Sequence, residues 1–264
     1  MKTRIKLILR YDGTDYGGWQ RQTKNTGKPT IQETLEDVLG KIFESKVRVA
    51  GSGRTDAGVH AEAQVAHFDA PRAVDNINIV QALNSMLPDS IAVLKSFAAP
   101  DEFHALFSAT GKTYRYVIYN GPIRDPLQIR YATWIKKPLD IEILNQFSKV
   151  LIGEHDFKSF QTSGTEVKTT VRQISEAQWA RGSGADGGRL LEFRITGSGF
   201  LKQMVRNIVG TLLYLHQNRG TAGDMKKILE FCDRRKAKMT AHPEGLHLHA
   251  VYYPPELDKA CREL

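Results

Sequence analysis

Hydrophobic positions recur along the chain with two periods, and the switching between them predicts most of the elements. Residues 4–11 alternate loosely between basic and apolar side chains, the pattern of a half-buried strand, and Tyr11-Asp12-Gly13-Thr14 turns the chain out of it. Thr30-Ile31-Gln32-Glu33 has capping-box spacing, with Glu33 able to reach back to the Thr30 backbone. Ile31, Leu35, Val38, Leu39 and Ile42 then follow at helical intervals. Strands are predicted at 47–50, 63–68 and 91–96, with a helix over 77–87 stopped by Pro88. This part of the chain reads β-α-β-β-α-β.

Residues 103–112 lack a clear period and mark a division into an N-terminal half, 1–106, and a C-terminal half, 107–264. Thr113 to Tyr119 alternates as a strand, with Tyr114, Tyr116 and Ile118 on one face and Arg115, Val117 and Tyr119 on the other, so half of these aromatics are expected in the core. A helix over 141–151 ends at Gly153, and strands at 170–179 and 190–196 flank the Gly-rich stretch 181–189 as a hairpin. Leu201, Met204, Val205, Ile208, Leu212 and Leu215 form one apolar stripe of a helix over 200–216. A shorter helix at 222–232 and a strand at 246–252 follow. The second half also reads β-α-β-β-α-β with additions. Together the halves predict an α+β fold of two ferredoxin-like, or RRM-like, units with largely antiparallel sheet, helices on one face and a cleft where the halves meet.

Charge adds a partner to this picture. With 37 Lys and Arg against 29 Asp and Glu in 264 residues, the chain carries +8 and favours a polyanion. Two cysteines, Cys232 and Cys261, with no C-x-x-C pair, fit a reducing cytoplasm rather than a disulfide scaffold. Charges interrupt the N-terminal apolar residues, which therefore read as a strand and not as a signal peptide. The longest apolar run, 208–215, falls far short of a membrane span.

Candidate chemistry centres on Gly51-Ser52-Gly53-Arg54-Thr55-Asp56-Ala57-Gly58-Val59-His60-Ala61, a Gly-rich connection between two predicted strands. Glycines allow close backbone approach to a ligand, although the same composition suits a plain turn with solvated Arg54 and Asp56. No third glycine completes a dinucleotide fingerprint, and no Walker loop or H-E-x-x-H occurs. His60-Ala61-Glu62 lacks the P-C-x-x-C that zinc deaminases require. His242, His247 and His249 have no evident fourth ligand, so no metal is expected there. Asp56 is open to the roles of general base, metal ligand or nucleophile, the first and second weakened by the lack of another carboxylate in its loop. A nucleophilic carboxylate in a desolvated site needs a cation, and Arg206, set in the apolar run Met204-Val205-Arg206-Asn207-Ile208-Val209-Gly210, is the candidate. Tyr16 to Gln22 mixes aromatic, amide and basic groups suited to nucleic acid, while the simpler reading makes Trp19 a plug of a small core.

Tyr11-Asp12-Gly13, Gly18-Trp19-Gln20-Arg21-Gln22, Gly53 to His60, Phe103-His104-Ala105, Tyr114-Arg115-Tyr116, Met204 to Gly210 and Glu244-Gly245-Leu246 occur in the order found in the A family of tRNA pseudouridine synthases. The chain resembles that family across nearly its whole length. The resemblance implies isomerisation of uridine to pseudouridine at positions 38, 39 and 40 of the tRNA anticodon stem-loop, without cofactor or metal, by a cytoplasmic homodimer. It implies Asp56 as the nucleophile, with attack at ribose C1′, attack at base C6 and a glycal route all left open. Tyr114 would stack on the target base, Arg206 would pair with Asp56, Leu246 would wall the base, and Arg54 would fill the space of the flipped nucleotide. Arg21, Lys24 and Lys28 are candidates for RNA backbone contact. A non-catalytic RNA-binding protein with RRM-like halves is the competing reading, but it has no use for an aspartate in a Gly-rich loop.

Overall fold

The computed structural model describes residues 3–22, 27–164, 167–182 and 188–264. Lys24 and the centre of the predicted 181–189 turn lie outside them. The fold is mixed α+β with largely antiparallel sheet, divided into two compact units, Met1–Thr110 with Leu248–Leu264 and Gly111–His247.

The first unit runs β1 (Thr3–Tyr11), α1 (Ile31–Phe43), β2 (Ala50–Gly51), β3 (His60–Ala70), α2 (Ile79–Asn84), β4 (Ile91–Ala99). Its strands order as β4-β1-β3-β2, all antiparallel, with Leu7 opposite Ala66 on one side and Ser96 on the other. The alternation in β1 does what its period requires, since Ile5, Leu7 and Leu9 are fully buried. α1 buries Ile31, Leu35, Val38, Leu39 and Phe43. Only half of the expected capping box forms. Thr30 Oγ1 accepts the Glu33 amide at 3.3 Å, while the Glu33 carboxylate faces Arg21 at 3.5 Å. The strand expected at 47–50 shrinks to Ala50–Gly51 because α1 takes its backbone groups. Glu36 accepts the Val49 amide at 3.1 Å and Gln32 donates to the Val49 carbonyl at 2.9 Å. The helix expected over 77–87 is shorter, opened by the Asn78 side chain on the Gln81 amide.

The second unit runs β5 (Gly111–Asn120), β6 (Thr133–Ile135), α3 (Ile141–Lys149), β7 (Gly153–Asp156), β8 (Val171–Arg181), β9 (Leu190–Gly197), α4 (Met204–Gln217) and α5 (Ala222–Glu230). Strands β5-β9-β8-β7 are antiparallel, and β6 adds to β5 in parallel. Short β6 and β7 have no readable period in the sequence. The expectation that half of the β5 aromatics are core is corrected, because Tyr114, Tyr116 and Tyr119 are all buried. Val117, Tyr119 and Ala132 form a second small core with Leu190, covering the face that an ordinary antiparallel strand would leave to water. α4 starts at Met204 rather than at the expected residue 200, since Gln203 adopts a left-handed φ of 57° and holds Leu201 outside the helix.

The last strand, β10 (Leu246–Tyr252), crosses the division after His247, and α6 (Pro255–Ala260) and β11 (Arg262–Glu263) complete the first unit. There β11 pairs with β4, and Tyr253 packs with Val65, Phe103 and Ala105 while its hydroxyl donates to the Ala105 carbonyl at 2.7 Å. Among the described residues no helix is long and apolar enough to cross a membrane.

Candidate active site

Asp56 is half-buried in a loop whose path is set by two other turns of the first unit. The Trp19 amide donates to the Thr55 carbonyl at 3.0 Å, and Tyr11 shares a 2.9 Å hydrogen bond with the Thr55 hydroxyl. Burial pushes the Tyr11 phenol up to about 12, so this bond stays neutral at ordinary pH. On the other side the Ser52 amide donates to Val65, and Gln64 accepts from the Ser52 hydroxyl and donates to the Gly53 carbonyl. The Val59 amide closes a turn on the Asp56 carbonyl at 3.1 Å, with Gly58 at a φ of 77°. Two glycines outside the loop let it lie this close. A Cβ on Gly13 would stand 2.0 Å from the Val59 carbonyl oxygen, and one on Gly18 would stand 2.6 Å from that of Thr55. His60 is buried, its Nδ1 accepts the Gly13 amide at 3.1 Å, and an Asp12 carboxylate oxygen lies 3.3 Å from the same nitrogen.

Trp19 is 2% exposed and lies against Gly51, whose added Cβ would meet the indole at 2.5 Å. It is the core plug of the simpler reading. Arg54 is exposed, and its Nε donates to Gln20 Oε1 at 3.1 Å. Arg21 is bound up with Glu36 at 3.2 Å, and Lys28 reaches the Thr14 carbonyl at 3.4 Å.

Tyr114, Arg206 and Leu246 belong to the second unit. Tyr114 is buried on β5, its ring edge-on to Phe200 at 5.0 Å. Arg206 is half-buried on the first turn of α4. Its Nε donates to the Ala241 carbonyl at 2.8 Å and its own carbonyl accepts the Ala241 amide at 3.0 Å. The helix grips the 237–241 segment at two further points. Gly210 could carry no side chain, because a Cβ would stand 1.8 Å from the Met239 carbonyl oxygen. Fully buried Asn207 donates to the Phe160 carbonyl at 2.7 Å and accepts from Thr240 at 2.6 Å and Arg234 at 3.0 Å. The gripped segment leads to Leu246 through Gly245, where a Cβ would stand 2.7 Å from the Val117 carbonyl oxygen and 2.8 Å from the Tyr116 ring. Tyr116 donates to the His242 carbonyl at 2.8 Å, and burial pushes its phenol well above the ordinary value. Leu246 is 5% exposed.

Three supporting residues escaped the sequence reading. Gln64, Asn207 and Arg234 are polar side chains that tie segments together; the polarity of Gln64 and Asn207 within apolar runs hinted at it, while Arg234, in the charged run Asp233-Arg234-Arg235-Lys236, gave no such signal. The histidines near the C-terminus take separate partners, with His247 against the Tyr131 carbonyl at 2.9 Å and His249 against Glu62 at 2.6 Å.

A family model described as tRNA pseudouridine synthase matches residues 7–108 and 148–254, which include Asp56, Arg54, Arg206 and Leu246 but not Tyr114. The chain is 47% identical to the tRNA pseudouridine synthase A of Bdellovibrio bacteriovorus, with 100% of both chains covered. Identity is 44% to the protein of that name in Geobacillus kaustophilus, covering 97% of this chain and 96% of that one. It is 40% to that of Methylacidiphilum infernorum, covering 95% and 96%. A loop carrying Arg54 and Asp56 beneath paired glycine turns, a helix gripping its neighbour through Asn207 and Gly210, and similarity over the full length together place this chain in the tRNA pseudouridine synthase family of isomerases.

Proposed function

We propose that the enzyme converts uridine to pseudouridine at positions 38, 39 and 40 of the tRNA anticodon stem-loop, as a cytoplasmic homodimer built from two ferredoxin-like halves. The observation that carries the reading is the fixing of the backbone around Asp56 by the Tyr11, Trp19 and Gln64 segments, which holds its carboxylate in a defined place. The β4-β1-β3-β2 order of the first unit supports the ferredoxin-like half.

In this reaction the C1′–N1 bond breaks, the uracil turns, a C1′–C5 bond forms, C5 loses its proton and N1 gains one. Asp56 acts as nucleophile, Arg206 offsets its charge, Tyr114 stacks on the flipped base, Leu246 walls it, and Arg54 occupies the space the base vacates. A-form stem-loops present phosphates and 2′-hydroxyls more than base edges, so one grip on the backbone serves three neighbouring uridines.

The test is single-nucleotide mapping of pseudouridine in unmodified tRNA after incubation with wild-type protein, Asp56→Asn and Arg206→Met. Product at 38–40 from wild type, none from Asp56→Asn, and slowed turnover with retained binding for Arg206→Met are expected. Absence of wild-type product would leave the non-catalytic RNA-binding reading in its place, and equal product from Asp56→Asn would remove Asp56 as nucleophile.

A further inference from the structure

The second unit contains an open pocket of about 790 Å³ lined by Lys158, Ser163, Gln203, Asp233, Arg234 and Thr240, among others. Its floor is ordered by a half-buried guanidinium. Arg234 donates through Nη2 to Asn207 Oδ1 at 3.0 Å and Thr240 Oγ1 at 3.1 Å, and through Nη1 to the Lys238 carbonyl at 3.2 Å and that of Ala237 at 3.4 Å. All four acceptors are neutral. They orient the cation without cancelling its charge, and among the described residues no carboxylate pairs with it. The adjacent Asp233 is committed to Arg235, which it meets at 2.8 Å and which holds its carboxyl down at about 2. A half-buried guanidinium whose neighbours are all neutral keeps its charge available to an anion, and its planar fork suits an oxyanion above others.

The surroundings favour the same ligand. Lys158 is an exposed second cation on the lining, and Lys202, beside the pocket, donates to the Ser163 carbonyl at 3.3 Å. Gln203 on the lining opens α4 without a side-chain cap, and the Met204 amide is taken by the Leu201 carbonyl at 3.0 Å. The lining is linked to Arg206 along the chain. Gln203 precedes it by three residues, one helical turn, and Thr240 precedes the Ala241 whose carbonyl and amide both bond to it.

We propose that this pocket receives a phosphodiester of the RNA strand next to the target nucleotide, with Arg234 as the fixed cation and Lys158 as the mobile one. This rests on the reading of the chain as a tRNA-modifying enzyme. Arg234 is thereby a positioning residue, holding the strand so that the neighbouring nucleotide reaches Arg206.

The test measures tRNA affinity across 50 to 200 mM salt for full-length Asp56→Asn protein, alone and combined with Lys158→Gln or Arg234→Gln. Each added change is expected to weaken binding several-fold and to flatten the log–log salt slope by about 0.7 to 0.9, the loss of one phosphate contact. Thermal melts verify folding, and if Arg234→Gln does not fold, Lys158→Gln and Lys202→Gln carry the measurement. Unchanged affinity and slope in the folded variants overturn the inference while leaving pseudouridine formation by wild type untouched. Stabilisation of wild type but not Arg234→Gln by inorganic phosphate, with tRNA affinity unchanged, would assign the pocket to a free anion and overturn it too. Loss of affinity in the variants combined with no wild-type product would uphold the pocket and remove the catalytic reading, and a wild type that neither binds nor modifies tRNA removes both.

Discussion

At the scale of single residues, the Asp56 loop depends on atoms that are absent. Gly13 and Gly18 stand where any Cβ would strike the loop's backbone carbonyls, and Gly18 adds a φ of 97°. Gly13→Ala should therefore destabilise the protein by about 1–3 kcal/mol and slow turnover further than that loss explains, since the displaced Val59 carbonyl is three residues from Asp56. Thermal melts set beside single-turnover rates check this, and a variant with wild-type turnover would show that the loop tolerates the shift. His67 makes a second prediction. It is buried on β3, its Nδ1 accepts the Ala105 amide at 3.2 Å, and burial, followed by His104 and Arg4, lowers its pKa to about 4. A histidine depressed in the folded state is neutral there while the unfolded chain takes up a proton, so its contribution is complete above pH 6.5 and is lost as pH falls from 6.5 toward 4. His104, also depressed by burial and Arg4, acts in the same direction. His67→Gln should flatten the fall in denaturation midpoint across that window. An unchanged pH profile would place the acid sensitivity elsewhere. The glycine loop and its aspartate were legible in the sequence because they are contiguous. The reason for Gly13 and Gly18 was not, since the atoms they avoid lie some forty residues away.

At the scale of elements, α4 shows what a periodic pattern contains and omits. Its apolar stripe announced the helix, and Leu201, Met204, Val205, Ile208, Leu212 and Leu215 are all buried as expected. The pattern did not show that Asn207 and Gly210, between those positions, clamp the 237–241 segment that bonds to Arg206. Asn207→Leu should cost about 3 kcal/mol, because it leaves the Phe160 carbonyl, Thr240 and Arg234 short of a buried partner. Urea denaturation measures the loss, and a cost below 1 kcal/mol would mean that the segment finds its place without this clamp. Capping was also only partly legible. Thr30 and Glu33 have the right spacing but close one bond of the pair, whereas Thr221 and Asp224 close both. In the first case Arg21 competes for the carboxylate, and no local spacing reveals a competitor.

At the scale of the whole molecule, the C-terminal residues return to the first unit and seal a buried lysine. Lys6 Nζ meets Asp258 at 2.5 Å and lies 5.0 to 5.4 Å from the ring centres of Phe97, Phe103 and Tyr253. Asp258→Asn should destabilise by about 1–2 kcal/mol, the carboxylate being itself half in water. Lys6→Met should cost less, since a methionine fills the same aromatic surroundings without a charge to satisfy. Denaturation midpoints in the opposite order would assign Lys6 a part beyond holding α6. By itself the sequence determined the longer strands and helices, the Gly-rich loop around Asp56 and the basic balance, because periodicity and contiguous motifs are local properties, whereas β6, β7, α6 and β11 are too short to show a period. It placed one division near 106/107, and the structure adds that Leu248–Leu264 pack with the N-terminal unit. Tertiary structure alone decided that Trp19 is core, that β5 is covered on both faces, and that Asn207 and Arg234 organise the ground beside Arg206. A hydrophobic period states which face leaves water, but the partner that covers it, and the polar groups satisfied beneath, are fixed by contacts between residues far apart in the chain.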